Sequence, residues 1–338
     1  MSSKNSIISC IDKLGFPFKT LDPFLFCVYH EDFYPKGDSL MQAPIKGNGA
    51  DFTLTDKKPY RMYHGDRVPG FPQHPHRGFE TITATLKGFI DHTDSLGNAG
   101  RYGEGDLQWM TAGKGVCHGE MFPLINQDKP NTTKFFQIWL NLPRSNKMVD
   151  PMYVMHWHEK IPIVYSEDKL TKVIIWAGEL EEKKGLTPPP NSYGSSKDSE
   201  LGVMFFELKP GAKYSIPRCK GGMDINRVLY FIEGEKCQIG DRELKEHCAV
   251  TVRGDEIIEI GNNNTSGISE VLLLQGRPIN EPVVQHGPFV MNSQVEIHQA
   301  FSDYQRTQFG GWPWPKDEMV FPADKGRFTL QNKIEERP

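Results

Sequence analysis

Two residue pairs in this chain have the types and the spacing to hold a metal ion. His74 and His76 lie in His74-Pro75-His76-Arg77-Gly78-Phe79-Glu80, and His118 and Glu120 lie in Val116-Cys117-His118-Gly119-Glu120-Met121. On a strand, residues i and i+2 point to one face, so each pair presents its donors together. The parity of His74 continues through Glu80, Ile82, Ala84 and Leu86. That is the pattern of a strand lining a barrel with a metal at its mouth and core below. With the two strands side by side, three imidazoles and a carboxylate converge. Such a donor set suits Fe, Mn, Ni, Cu or Zn, and with open positions it is close to the sites of non-haem iron oxygenases. A lone His-x-His is common on a polar strand face; the second pair makes the case for a metal. Glu80 is a fifth candidate, either as ligand or as a carboxylate that orients an imidazole, and spacing alone does not choose.

Other signals are weaker. Gly113-Lys114-Gly115 lacks the glycine spacing and the Ser/Thr of a P-loop, so its glycines read as turn and packing positions. Cys117 has opposite parity to His118 and should pack outside the pocket as a small hydrophobe. His156 and His158 have no second ligand pair and read as a surface strand or domain junction. Nothing around Asp94-Ser95 resembles a nucleophilic triad.

The elements that must position these residues are short strands. Phe79 to Leu86 alternates with period two and is rich in β-branched residues, and turn signals follow at roughly ten-residue spacing through Gly115. A second β-rich block spans 201–276. Between the blocks, 179–200 carries Glu-Glu-Lys-Lys, three prolines and a Ser pair, and reads as an exposed loop or linker. One helix is signalled near the carboxyl end. Ser293 with Glu296 forms a capping box, Ile297, Ala300, Phe301 and Tyr304 form an apolar stripe, and Gly310-Gly311 ends it.

With 338 residues, the chain has room for about two domains. The net charge of -4 gives no basic footprint for direct nucleic-acid binding. No run approaches the ~18 apolar residues of a membrane span. The first residues lack a signal-peptide pattern, and the six cysteines include no C-x-x-C. A cytoplasmic location, with or without the nucleus, and free thiols are expected.

The segments from His74 to Thr81, Asp94-Ser95-Leu96-Gly97-Asn98, Gln108 to Gly115, His118-x-Glu120-Met121, Gln137 to Pro143 and Gly287 to Asn292 together resemble the pirin family of the cupin superfamily. The match is dense from about Gly70 to Pro151 and sparser beyond. The resemblance implies an all-β bicupin: two antiparallel jelly-roll β-barrels packed face to face, with a short carboxyl-terminal helix. It places a metal-bearing cupin in 1–150, a linker and crossover in 151–200, and a metal-free cupin-like domain with helix and tail in 201–338. It implies one iron ion, Fe2+ or Fe3+, held by His74, His76, His118 and Glu120, whereas many other cupins would use the acid at Glu80. The chain departs from the family in a long segment, 32–68, ahead of the His motif, and in the tail after Tyr304. Both are placed to cover the pocket or an interaction surface.

Two functions follow from the resemblance. One is quercetin 2,4-dioxygenase activity on a flavonol and O2, with Glu120 as the base that takes the 3-hydroxyl proton. The other is a redox-sensitive iron protein that binds transcription factors as a co-regulator, with the added charge on oxidation as its switch. A monomer is expected.

Overall fold

A computed structural model describes residues 6–338. The described chain is built almost wholly of strands and forms two compact units. One comprises Tyr29–Ile138, Leu142–Glu159 and Glu281–Pro338; the other comprises the described residues through Val28, Trp139–Asn141 and Lys160–Asn280. Chain order and unit membership therefore differ. The division between the units falls near residues 28, 160 and 280 rather than at 150 and 200, and residues 281–338 belong with the His-bearing unit.

The His-bearing unit pairs a five-stranded with a six-stranded sheet. Its strands are β1 (Phe24–Tyr34, in this unit from Tyr29), β2 (Gly70–His76), β3 (Phe79–Lys87), β4 (Phe89–Asp94), β5 (Ala99–Gly103), β6 (Leu107–Thr111), β7 (Val116–Met121), β8 (Asn131–Asn141, in this unit to Ile138), β9 (Met152–His156), β10 (Phe328–Gln331) and β11 (Ile334–Glu336). The five-stranded order is β9-β6-β3-β8-β1, and the six-stranded order is β11-β10-β5-β4-β7-β2. The expected barrel is thus a two-sheet jelly-roll sandwich. Tyr63, Ile90, Tyr102, Phe122, Phe135 and Trp157 pack together as its aromatic core. The second unit has a seven-stranded and a four-stranded sheet. Its interior is apolar, with Val173, Ile175, Phe206, Leu229, Phe231 and Val271 fully buried.

The helix α1 spans Gln294–Thr307, and Ser293 Oγ accepts from the Glu296 amide as the capping box requires. It stops earlier than the Gly310-Gly311 pair because Gln308 itself turns left-handed, at φ 48°. Ile297 and Ala300 of α1 pack with Phe289, Met291, Phe309 and Cys117. Cys117 therefore faces away from the neighbouring imidazole of His118. Residues 179–200, read as an open linker, hold a short strand pair and two 3-10 turns, with Ser192 and Ser199 buried.

At Arg77-Gly78 the chain leaves one sheet for the other. Gly78 has φ 85°, and a Cβ there would lie 2.0 Å from the Val290 carbonyl oxygen. Lys147, buried, donates to the carbonyls of Gly78 and Val290 at 2.8 and 3.1 Å and fixes the same corner. Gly78→Ala is expected to cost at least about 2 kcal/mol, from left-handed strain plus the clash. A urea melt measures this as a lowered midpoint.

Candidate metal centre

β2 and β7 run antiparallel with His74 opposite His118, and the register slips between Phe71 and His74. Nitrogens of His74, His76 and His118 all lie within 4.8 Å of one another. The three ring centroids are 4.5 to 4.9 Å apart. His74 Nδ1 donates to the Pro72 carbonyl at 2.8 Å, which fixes the tautomer. Its Nε2 lone pair is left 3.1 Å from Nε2 of His76. The Pro288 backbone beside the His76 ring opposes, without cancelling, the effect of burial on its pKa.

Both nitrogens of His118 are buried without a hydrogen-bond partner among the described residues. A buried polar atom left unsatisfied costs about 1–3 kcal/mol. Burial also keeps the three rings neutral. It pulls His74 down to about 4 and holds His76 and His118 well below the ordinary histidine value. Neutral imidazole is the ligating form. Three convergent neutral imidazoles, with both nitrogens of His118 lacking a partner among the described residues, fit a divalent transition metal.

Glu120 is the nearby acid. Its Oε2 lies 3.9 Å from His118 Nε2. Gln137 Nε2 donates to Oε2 at 2.8 Å, and the Tyr102 hydroxyl donates to Oε1 at 3.4 Å. Thr83 Oγ1 lies 3.2 Å from Oε1 and 2.5 Å from Gln137 Oε1; its one proton bridges toward the closer partner. Burial raises the pKa of Glu120, while His92 and these donors oppose the rise.

Glu80 stands elsewhere. It is fully buried on β3, where Trp109 Nε1 and Thr111 Oγ1 donate to Oε1 at 3.2 and 2.7 Å. The parity read from His74 through Glu80 does not survive the corner at Gly78, since β2 and β3 lie in different sheets. The cluster whose nitrogens lie within 4.8 Å of one another contains the three imidazoles and neither acid; Glu120 lies beside it, 3.9 Å from His118 Nε2, and Glu80 bonds instead to Trp109 and Thr111.

One residue of the pocket went unread in the sequence. His92 on β4 is opposite Glu120 in register, and Asp94 is opposite His118. The His92 ring is fully buried, 5.5 Å from that of His118, and neither nitrogen has a hydrogen-bond partner among the described residues. Its Nε2 is 3.6 Å from Asp94 Oδ2. The signal was present as a third i, i+2 pair, His92-x-Asp94.

The 32–68 segment forms a wall beside this site. Tyr63 and His64 pack their rings on Phe71 at 5.0 and 5.7 Å, and Phe71 lies 6.2 Å from His74. A buried network anchors it: Arg61 Nε pairs with Asp32 at 3.0 Å, and the Tyr63 hydroxyl donates to Asp32 and accepts from His30. Tyr34, Ala43, Tyr60, Met62 and Leu124 give the segment a small core of its own.

Two family models match the chain: Pirin over residues 19–140, and Pirin C-terminal cupin domain over residues 203–310. A pirin-like protein of Solanum lycopersicum is 40% identical over 242 residues, 70% of this chain and 75% of the relative. Pirin of Homo sapiens is 38% identical over 255 residues, 73% of this chain and 80% of the relative. A crystal structure of quercetin 2,3-dioxygenase from Acinetobacter baumannii superposes with a TM-score of 0.68 at 26% identity, covering 90% of this chain and 96% of that one.

The two acids are separable. Glu120→Gln is expected to lower bound metal more than Glu80→Gln, which should cost stability and keep the metal. Elemental analysis of the purified variants checks this, and an emptied site in Glu80→Gln alone would reverse the assignment. The buried imidazoles also set a pH dependence. Their folded pKa values lie below the ordinary 6.5, so between that value and about 4 the unfolded chain binds more protons. Stability of the metal-free protein is therefore full above pH 6.5 and falls as the pH drops toward 4. Urea midpoints across that window should show the slope, and it should shrink in His76→Gln/His118→Gln protein.

Proposed function

The chain belongs to the pirin family, and from that premise we propose that it is an iron protein with flavonol dioxygenase activity of the quercetinase type. His74, His76, His118 and Glu120 are the ligands in this reading. The observation that carries it is the buried cluster of three neutral imidazoles with two orphaned nitrogens on His118 and a carboxylate 3.9 Å away. Fold similarity to a quercetin 2,3-dioxygenase supports the same reaction class. Bound iron would supply a Lewis acid that orients a flavonol hydroxyl and relays electrons to O2.

The chain's own residues do the rest. Glu120 takes the 3-hydroxyl proton at a carboxylate oxygen. Its burial raises its proton affinity, which suits a base that must keep the proton through the reaction. Gln137 and Tyr102 hold it in place with one donor to each carboxylate oxygen, and Thr83 in turn fixes Gln137. Phe71 and His64, on the imidazole side of the pocket, offer flat faces against which an aromatic ring can stack. The 32–68 segment is in this reading a fixed wall that sets substrate shape, because its buried Asp32–Arg61 pair and its own core oppose opening.

The test is flavonol loss per bound iron. Anaerobic iron-loaded protein is mixed with quercetin, oxygen is admitted, and flavonol absorbance is followed against a His74→Ala control. Turnover above the control is expected, and Phe71→Ala should raise KM several-fold with iron content unchanged. Loss no faster than the control would remove the enzyme reading and leave the metal reading standing.

A further inference from the structure

The strands that carry the ligands are not held by each other alone. Beyond Gly310, the end of the second family match, residues 312–331 run along the metal-bearing sheet and touch the neighbours of pocket residues. At the β2 bulge the Gln73 amide, next to His74, donates to the Asp317 carbonyl at 3.2 Å. Trp314 Nε1 donates to the carbonyl of Asp94, the residue opposite His118, at 2.8 Å. β10 then adds to the sheet beside β5, with Phe328 opposite Arg101 and Leu330 opposite Ala99. The Thr329 hydroxyl is 2.8 Å from that of Tyr153, whose ring lies edge-on to His92 at 5.0 Å.

Two arginines clamp this tail. Arg101 is fully buried, pairs with Asp91 through two contacts of 2.7 Å, and donates to the carbonyls of Phe321 and Pro322 at 2.7 and 2.8 Å. Asp91 in turn accepts from the Phe321 amide at 2.8 Å. At the far end Arg327 enters a socket formed by Asp106, His158 and Glu159. Its Nη1 donates to Asp106 Oδ1 at 2.7 Å, it pairs with Glu159, and it lies over the Trp157 ring at 5.8 Å. The socket brings together three groups that could hold an ion, but the guanidinium is the cation it contains.

We propose that residues 312–331 are a positioning element of the metal cradle, clamped by Arg101 and Arg327, and that the clamp sets how slowly the cradle releases its metal. The inference rests on the ligand assignment above. Its physical basis is that the bulge takes the Gln73 amide out of the β2–β7 ladder, and the tail supplies the acceptor that fixes the backbone just before His74. Releasing the tail leaves that amide and the Asp94 carbonyl to solvent, and the ligand strands gain freedom that opposes metal retention.

The test uses the full chain loaded with Co(II), whose visible spectrum reports ligand geometry. Arg327→Glu reverses the charge in the socket, Arg327→Lys keeps it, and Trp314→Phe removes one hydrogen bond with little change in shape. Hydrogen exchange of 312–331, cobalt release to EDTA and the cobalt spectrum are measured together. In Arg327→Glu the tail amides should lose protection, cobalt should leave about tenfold faster and the spectrum should change. Arg327→Lys should restore most of each, and Trp314→Phe should fall between. Loss of tail protection with unchanged release and spectrum would make the tail structural only and overturn the proposal. Retained protection in both Arg327→Glu and Trp314→Phe would overturn the clamp. A wild-type chain that takes up no cobalt would instead overturn the ligand assignment, and this inference with it.

Discussion

Three imidazoles share one small buried volume in this protein, and each must be held there by its neighbours. His74 and His76 bring Nε2 atoms to 3.1 Å, His118 closes the triangle, and Glu120 lies beside it. None of the three rings can relieve the crowding by taking a proton, because burial makes the charged form too costly. The surrounding structure must hold these neutral groups together. The β2–β7 pairing fixes two backbones, the Pro72 carbonyl fixes one tautomer, and the opposite sheet holds the acid. Glu120 sits on β7, while Gln137 and Thr83 come from β8 and β3. The carboxylate therefore spans the sandwich, and its position depends on the spacing of the two sheets.

Much of this was legible in sequence because a strand repeats every two residues. His74-x-His76 and His118-x-Glu120 are each local patterns, and local patterns survive folding. The capping box at Ser293 and Glu296 was readable for the same reason. Glu80 misled because parity holds only within a strand, and Gly78 ends one strand and starts another in a different sheet. His92 escaped although His92-x-Asp94 repeats the spacing, because Asp94 was weighed with Ser95 for a nucleophilic triad and not with His92 for a metal. Asp94 also serves the turn that follows it, accepting from the amides of Leu96 and Asn98 at 2.9 Å.

What could not be read were pairings far apart in the chain. Arg327 with Asp106, Trp314 with Asp94 and Asp317 with Gln73 have no local signature. The Trp-Pro-Trp-Pro run excluded a helix, and nothing in it named the strand that follows at Phe328. The 32–68 segment is similar. It read only as a segment placed to cover the pocket, but Asp32 and Arg61 meet across nearly thirty residues and bury a charge pair, and breaking such a pair from one side costs about 3–5 kcal/mol.

The interleaving of the two units bears on how the protein is made. The second unit has its last strand, Ser269–Gly276, well before the chain is finished. The His-bearing unit has its ligands by Glu120 but waits for Glu281–Pro338 to supply a helix and two strands of the sheet that carries them. During synthesis domains generally fold as they emerge. Here the half that is translated first is the half that is completed last. A nascent chain carries all four candidate ligands before residues 281–338, which supply part of the sheet around them, have been made.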